Sequence, residues 1–170
     1  MSESKVMNLL VVGPGEVGKT ALTNYFTNEY SSVKGNDWIH ISTSVGQFDI
    51  HIQCTNDTKE YKRKSADGVI IMCDSTKPDF VSLKNDINEV KKVVETSNKI
   101  VVCFNKVDRK DTQGFKVIQT DEWKNIQNDN PKIEVCMTSY KSNCNCDKPL
   151  LSLLRNLIDV KVTISKKNTQ

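Results

Sequence analysis

Short apolar runs alternate along the chain with longer amphipathic stretches. The apolar runs predict six strands, at residues 6–12, 37–42, 47–54, 68–73, 100–104 and 133–137. The amphipathic stretches predict helices at residues 19–28, from 78 onward, at 121–128 and at 149–158. In the second of these helices Val81, Ile87, Val90 and Val94 lie on or near one stripe. This alternation predicts an α/β fold, with a mostly parallel six-stranded sheet and helices on both faces. The second strand is the expected antiparallel edge strand, because a hairpin joins it to the third.

The length and charge of the chain fit one compact domain. Its 170 residues include 24 Lys and Arg against 21 Asp and Glu, and a net charge of +3 does not indicate nucleic acid as a partner. No segment approaches the roughly 18 apolar residues that span a bilayer, and the first residues lack a signal-peptide layout. We therefore expect a cytoplasmic protein, with one domain at residues 1–160 and a polar tail at 161–170.

The chain has six cysteines. Four lie in or at the end of predicted strands, which indicates buried, reduced thiols: Cys54, Cys73, Cys103 and Cys136. Cys144 and Cys146 form a C-x-C in a predicted loop. Metal binding or a redox role stays an alternative for that pair, although the spacing is not typical of zinc ligands.

A glycine-rich loop directly follows the first predicted strand. It reads Gly-Pro-Gly-Glu-Val-Gly-Lys-Thr at residues 13–20, which is the P-loop pattern for phosphate binding. Its glycines let backbone N–H groups wrap an anion, and the following helix adds its positive N-terminal dipole. Lys19 is expected to reach the phosphates, and the Thr20 hydroxyl to ligate Mg²⁺. The predicted phosphate-binding residues are Gly13, Gly15, Glu16, Val17, Gly18, Lys19, Thr20 and Ala21. A glycine turn that merely caps a helix is the alternative.

A second motif, Asn105-Lys106-Val107-Asp108, follows the fifth predicted strand. In a parallel sheet this strand end lies on the same rim as the P-loop. A carboxylate at Asp108 can accept hydrogen bonds from the ring N–H and the exocyclic amine of guanine. Adenine lacks that pair of donors and would leave the carboxylate unpaired. The aliphatic stem of Lys106 can lie along the base. The motif therefore predicts a guanine nucleotide.

Residues 138–141, Thr-Ser-Tyr-Lys, follow the last predicted strand, and here the chain resembles small GTPases of the Ras superfamily. The resemblance covers about residues 5–160 and is greatest to the Rab and Ras branches. Residues 65–76, Ser-Ala-Asp-Gly-Val-Ile-Ile-Met-Cys-Asp-Ser-Thr, are similar to a Rab strand. By this resemblance Ser139, Tyr140 and Lys141 match the guanine loop Ser-Ala-Lys, with Tyr140 as a departure from the family's Ala.

The family also stacks an aromatic ring on the guanine, twelve residues after the P-loop Lys. That position is Ser31 here, and Tyr30 stands one residue earlier. Tyr30 is therefore a candidate for base stacking, with an ordinary surface aromatic as the alternative.

Residues on which switching and hydrolysis depend in this family are replaced. Val33 aligns with the Thr that contacts Mg²⁺ and the γ-phosphate, although Ser31 and Ser32 lie close by in sequence. Cys54 aligns with the Asp of Asp-x-x-Gly. Asp57 replaces its Gly, and Thr58 stands in place of the Gln that orients the attacking water. No catalytic residue is therefore predicted.

The resemblance implies binding of GDP or GTP with Mg²⁺, together with effector or regulator proteins. The departures imply weak or absent hydrolysis. The alternative is a pseudo-GTPase that serves as an interaction scaffold without cycling. The chain lacks the lid-like Arg cluster of a P-loop kinase, so an ATP-using kinase is not favoured. With no C-terminal cysteine and a Met1-Ser2 start, no lipid anchor is expected.

Overall fold

The computed structural model describes residues 3–30, 37–56, 66–94, 96–107, 114–158 and 164–165. The strands are β1 (Lys5–Val12), β2 (Trp38–Thr43), β3 (Gly46–Thr55), β4 (Gly68–Asp74), β5 (Ile100–Asn105), β6 (Glu134–Met137) and β7 (Ile164–Ser165). The α-helices are α1 (Lys19–Glu29), α2 (Phe80–Val90), α3 (Asp121–Asp129) and α4 (Lys148–Ile158). Short 3₁₀ helices occupy Ser97–Lys99 and Gly114–Gln119.

The strands form one sheet in the order β6-β5-β4-β1-β3-β2-β7. The pairs that join β6, β5, β4, β1 and β3 are all parallel, and β2 runs antiparallel to β3. The predicted α/β fold is therefore confirmed, with the six predicted strands in place. Because the parallel strands share a direction, their carboxyl ends meet at one rim of the sheet.

The two-residue strand β7 was not predicted from the sequence. Ile164 pairs with Thr43, and Ser165 pairs with Ser42, in antiparallel register. These two residues lie in the stretch that the sequence indicated as a polar tail. The sheet therefore extends past β2, which is covered at its Thr43 end.

Two apolar layers cover the sheet, one on each face. One layer joins alternate strand residues such as Leu9 and Val11 to α1 and α4. The other joins Leu10 and Val12 to α2 and α3. Strands that are buried on both faces must be apolar at every position, which explains the continuous apolar run of β4.

Helix α2 begins after Asp79, whose Oδ1 accepts a hydrogen bond from the Ser82 N–H at 3.0 Å. Its buried face carries Leu83, Asp86, Ile87 and Val90. The prediction that Val81 shares this face is wrong, because Val81 is 75% exposed. The helix also ends at Val90 instead of continuing to Val94.

Trp123 and Ile126 form the buried face of α3, as their spacing predicts. The Trp123 ring packs edge-on against Phe104, with ring centroids 5.2 Å apart. This contact fixes α3 against β5, the strand that leads into the second predicted motif. Within the described residues, no helix is long and apolar enough to cross a membrane.

None of the six cysteines is part of a disulfide bond. Cys73, Cys103 and Cys136 are buried as predicted, and burial raises the pKa of each thiol, that of Cys73 to about 12. The expectation that Cys54 is buried is wrong, because it is exposed. It follows the buried residues Phe48, Ile50 and Ile52 on the same face of β3, but lies beyond their apolar cover.

Candidate functional site

The P-loop connects the end of β1 to the start of α1 through a backbone that only particular residues adopt easily. Gly13, Glu16 and Gly18 all have positive φ, at 150°, 65° and 103°. A Cβ on Gly13 would stand 2.6 Å from the Met72 carbonyl oxygen, so this glycine is required for the close passage beside β4.

Gly18 faces the second motif. A Cβ on Gly18 would overlap the side-chain amide nitrogen of Asn105, whereas a Cβ on Gly15 would meet nothing within 4 Å. The loop is therefore packed closely at Gly18 and open to solvent at Gly15. This arrangement leaves room beside its exposed part for a ligand.

Lys19 is 8% exposed, and its ammonium is held by the loop itself. Nζ donates hydrogen bonds to the carbonyls of Gly13 at 2.7 Å and Pro14 at 2.6 Å. Burial lowers the pKa of Lys19, and nearby Cys54 and Asp86 partly offset that effect. Among the described residues no carboxylate lies within ion-pair distance of Nζ, so an incoming anion would meet a charge that is still largely uncompensated.

The first turn of α1 is also suited to an anion. Its N-cap residue, Gly18, makes no side-chain capping bond, and the first turn contains no acidic residue. The backbone N–H groups of such a turn need an acceptor and carry partial positive charge. Thr20 and Ala21 are exposed there. The predicted phosphate residues are thus brought together at one helix N-terminus.

Asn105 joins the P-loop to the rest of the rim. It is 4% exposed at the end of β5. Its Nδ2 donates to the Val17 carbonyl at 3.0 Å, and its Oδ1 accepts from the Thr138 hydroxyl at 3.2 Å. One buried amide therefore connects three segments, namely the P-loop, the loop after β5 and the loop after β6. Sequence reasoning placed Asn105 at the base but missed Thr138 as its partner.

Lys106 is held by an acid that the sequence analysis did not select. Its Nζ lies 2.8 Å from Asp74 Oδ2, and its backbone has a φ of 69°. Asp74 Oδ1 accepts from the Thr76 N–H at 2.8 Å and from its hydroxyl at 2.6 Å. Burial alone would raise the pKa of Asp74, but bonds from Lys106 and Thr76 outweigh it and hold that pKa below its ordinary value. Asp108 lies outside the described residues.

The third loop is closed by paired backbone bonds. Ser139 and Cys144 exchange N–H···O bonds of 3.0 and 2.8 Å, and Ser139 Oγ accepts from the Ser142 N–H at 3.1 Å. The Cys146 thiol donates to the Ser139 carbonyl at 3.4 Å. Cys146 thus supports the turn, and Lys141 is exposed at its tip.

Tyr140 directs its ring away from the loop tip. Its hydroxyl donates to the Cys146 carbonyl at 3.2 Å, and its ring lies 5.7 Å from that of Tyr25. Burial raises the pKa of its hydroxyl. The Tyr140 side chain therefore packs against the core, which leaves the backbone of residue 140 for the role that the family resemblance implies.

Tyr30 is part of the core. It is 1% exposed, and its hydroxyl donates to Asp147 Oδ1 at 3.0 Å, as does that of Tyr25. Burial first, and Asp147 second, raise the pKa of Tyr30. The surface-aromatic alternative is wrong, and the buried ring has no open face for a base in this structure. Asp147 could not be identified from the sequence, because its partners are more than a hundred residues away.

An open cleft beside the P-loop contains Cys54, which by the sequence resemblance aligns with the Asp of the family's Asp-x-x-Gly. It is lined in part by Thr20, Thr23, Asp37 and Cys54. Cys54 Sγ forms a 3.1 Å hydrogen bond with Thr23 Oγ1. Within the described part of the chain no group of three His, Cys, Asp or Glu residues could hold a metal ion. The other replaced positions, residues 33, 57 and 58, lie outside the described residues.

The contact between Gly18 and Asn105 gives a testable prediction. Gly18→Ala should lower stability by at least about 1–2 kcal/mol, because Ala resists positive φ and its Cβ overlaps the Asn105 amide. Gly15→Ala is the matched control and should change stability by less than about 0.5 kcal/mol. Urea unfolding followed by tryptophan fluorescence measures both. Equal effects of the two substitutions would contradict this account of the loop.

Comparison with protein families supports the arrangement found in the structure. A family model described as "Ras family" matches residues 8–159, which include the three loops and most of the sheet. A comparison with curated proteins found no match. Because the match covers most of the chain and the fold and phosphate loop agree with it, the chain belongs to the Ras family of small GTPases.

Proposed function

We propose that this protein is a Rab/Ras-like atypical small GTPase, which binds GDP or GTP with Mg²⁺ and hydrolyses GTP slowly or not at all. The observation that carries the proposal is the pair of bonds made by the Asn105 amide, to Val17 and Thr138. These bonds bring the phosphate loop and both predicted base loops to one rim. A site that combines a phosphate loop with base loops recognises a nucleotide and not merely an anion.

The residues present fit a diphosphate. The buried Lys19 ammonium is bonded to two neutral carbonyls, and the first turn of α1 lacks a side-chain cap. Phosphate oxygens carry the charge opposite to that of the Lys19 ammonium, and they accept hydrogen bonds from the backbone N–H groups at the start of α1. The phosphate-binding residues on this proposal are Gly13 and residues 15–21, which belong to the P-loop and the start of its helix.

The base is assigned to the other two loops. Asp74 holds Lys106 at the end of β5, which supports a role for its aliphatic stem against the base. Asp108 would select guanine by accepting hydrogen bonds from the ring N–H and the exocyclic amine of the base, and the turn at Ser139, Tyr140 and Lys141 would contribute backbone N–H groups. The Tyr30 ring is buried, so it does not support the prediction that this residue stacks on the base.

Magnesium would bind through the nucleotide and the Thr20 hydroxyl. This residue is exposed and lines the cleft that also holds Cys54. When bound, the ion offsets phosphate charge. A thiol at Cys54 is a weaker partner for metal-bound water than the carboxylate of the family, because Mg²⁺ prefers oxygen and a carboxylate accepts strongly.

The γ-phosphate side is where the chain departs from an ordinary GTPase. Val33, Cys54 and Thr58 replace groups that contact Mg²⁺, support it and orient the attacking water. Slow hydrolysis follows if these replacements are not compensated. A non-cycling scaffold is the second candidate, favoured by the Cys54 thiol, which is bonded to Thr23 where the family has a metal-supporting acid. Effector or regulator proteins fit either candidate, and six free thiols support a cytoplasmic location.

Purified protein should contain, or bind, GDP with Mg²⁺. Nucleotide released by heating and resolved by ion-exchange chromatography measures this. Lys19→Ala should abolish binding, because it removes the cation nearest the phosphates. Lys124→Ala, on the exposed face of α3, is the matched control and should leave nucleotide content unchanged. Wild-type protein without nucleotide that also ignores added GDP would overturn the proposal.

Asp108→Asn should shift preference from guanine to xanthine nucleotides. The amide can donate to the xanthine oxygen that replaces the amine, but it loses one acceptor for guanine. Competition between GDP and XDP for the bound site measures the change. An unchanged preference would remove Asp108 from the base site while leaving phosphate binding intact.

Hydrolysis should be slower than the ~10⁻⁴ per second of unaided small GTPases. The physical reason is the loss of the water-orienting Gln and of the metal-supporting Asp. Single-turnover release of phosphate from preloaded GTP measures it. A rate at or above that of ordinary family members would contradict the prediction, and Cys54→Asp tests whether the lost carboxylate contributes.

A further inference from the structure

A small cavity lies between the P-loop and α2, on the side of the loop away from the cleft of Cys54. Pro14 and Val17 line it from the loop, and Asp79, Leu83 and Asp86 line it from α2 and its cap. The cavity therefore places groups of α2 directly behind the backbone that is proposed to hold phosphate.

Asp86 is the unusual residue of this cavity. It stands in the buried stripe of α2 with Leu83 and Ile87, and it is 8% exposed. Among the described residues it has no hydrogen-bond or ion-pair partner. A carboxylate with little access to water and no cation paired to it is less stable in its charged form. Burial, and next the charge of Asp79, raise the pKa of Asp86 to about 6, although Lys19 opposes the rise.

The charges that face Asp86 come from three elements. Lys19 acts on it from the start of α1, and Asp79 acts from the N-cap of α2. From β4 and the turn after it come Cys73, whose thiol has a raised pKa, Asp74, which is paired with Lys106, and the exposed Lys77. Lys19 is thus the cation that favours the charged form of Asp86.

The same ammonium is the one that phosphate would engage. A bound diphosphate brings further negative charge to the P-loop. This charge offsets that of Lys19, so Lys19 stabilises the ionised Asp86 carboxylate less. Neutral Asp86 then becomes the favoured form, at the expense of a proton from solvent. By linkage, conditions that protonate Asp86 also strengthen binding of the phosphates.

We propose that Asp86 is a positioning residue that couples nucleotide binding at the P-loop to uptake of one proton. The affinity for a nucleoside diphosphate then rises as the pH falls from about 8 toward 6, where about half of the apo protein already carries the proton. This inference rests on the proposed nucleotide binding. It adds a control of affinity by a residue that never touches the nucleotide.

The test measures GDP affinity at pH 6 and pH 8 for wild type, Asp86→Asn and Asp86→Leu, with Mg²⁺ present. Both variants remove the charge. At pH 8 they should bind GDP about tenfold more tightly than wild type, and at pH 6 within about twofold. Asp129→Asn, an exposed acid on α3, is the control and should follow wild type at both values. Comparison between variants is needed because the terminal phosphate of GDP also titrates near pH 6.

Calorimetry in two buffers of different ionisation enthalpy counts the protons directly. At pH 7 wild type should take up more protons per GDP than Asp86→Asn. Equal proton uptake, or variant-to-wild-type affinity ratios that do not change between pH 6 and 8, would overturn the inference while leaving nucleotide binding intact. Failure of wild type to bind GDP at either pH would overturn both this inference and the proposed function.

Discussion

The site depends on one buried amide at the end of β5. Asn105 donates to the P-loop at Val17 and accepts from Thr138, so it fixes the distance between the loop after β1 and the loop after β6. Gly18 is required for the same contact, because any Cβ there would occupy the place of the amide. A buried polar group in such a position is costly to leave unpaired, and therefore all three loops are held in one arrangement.

Charge is distributed unevenly around this junction. On the phosphate side lie the buried ammonium of Lys19 and the uncapped start of α1, both of which favour an anion. On the cleft side the family's metal-supporting acid is replaced by Cys54, whereas behind the loop Asp86 introduces a buried acid. The chain thus retains what a diphosphate needs and has altered its surroundings. On the proposed function, this division would favour the holding of nucleotide over its hydrolysis.

The sheet and the site could be predicted to different extents from the sequence. Strands such as β4 and β5 are buried on both faces, so that their positions before the final residue are non-polar and the pattern is local. The glycine and lysine positions of the P-loop are equally local. The burial of Tyr30 was not predictable, because its partner Asp147 is distant in sequence, and the exposure of Cys54 depends on where the core ends. Asp86 was missed because an acid within an apolar stripe carries no motif.

The central claim is that three loops form one guanine-nucleotide site, and the most direct test is the ratio of GDP to ADP affinity. Competition of each nucleotide against a fluorescent GDP analogue, at saturating Mg²⁺, measures that ratio on the intact protein. GDP should bind roughly 10⁴-fold more tightly than ADP, because adenine would leave Asp108 unpaired. Equal affinities would show a phosphate site without a base site, and tighter binding of ADP would contradict the assignment of the loops after β5 and β6.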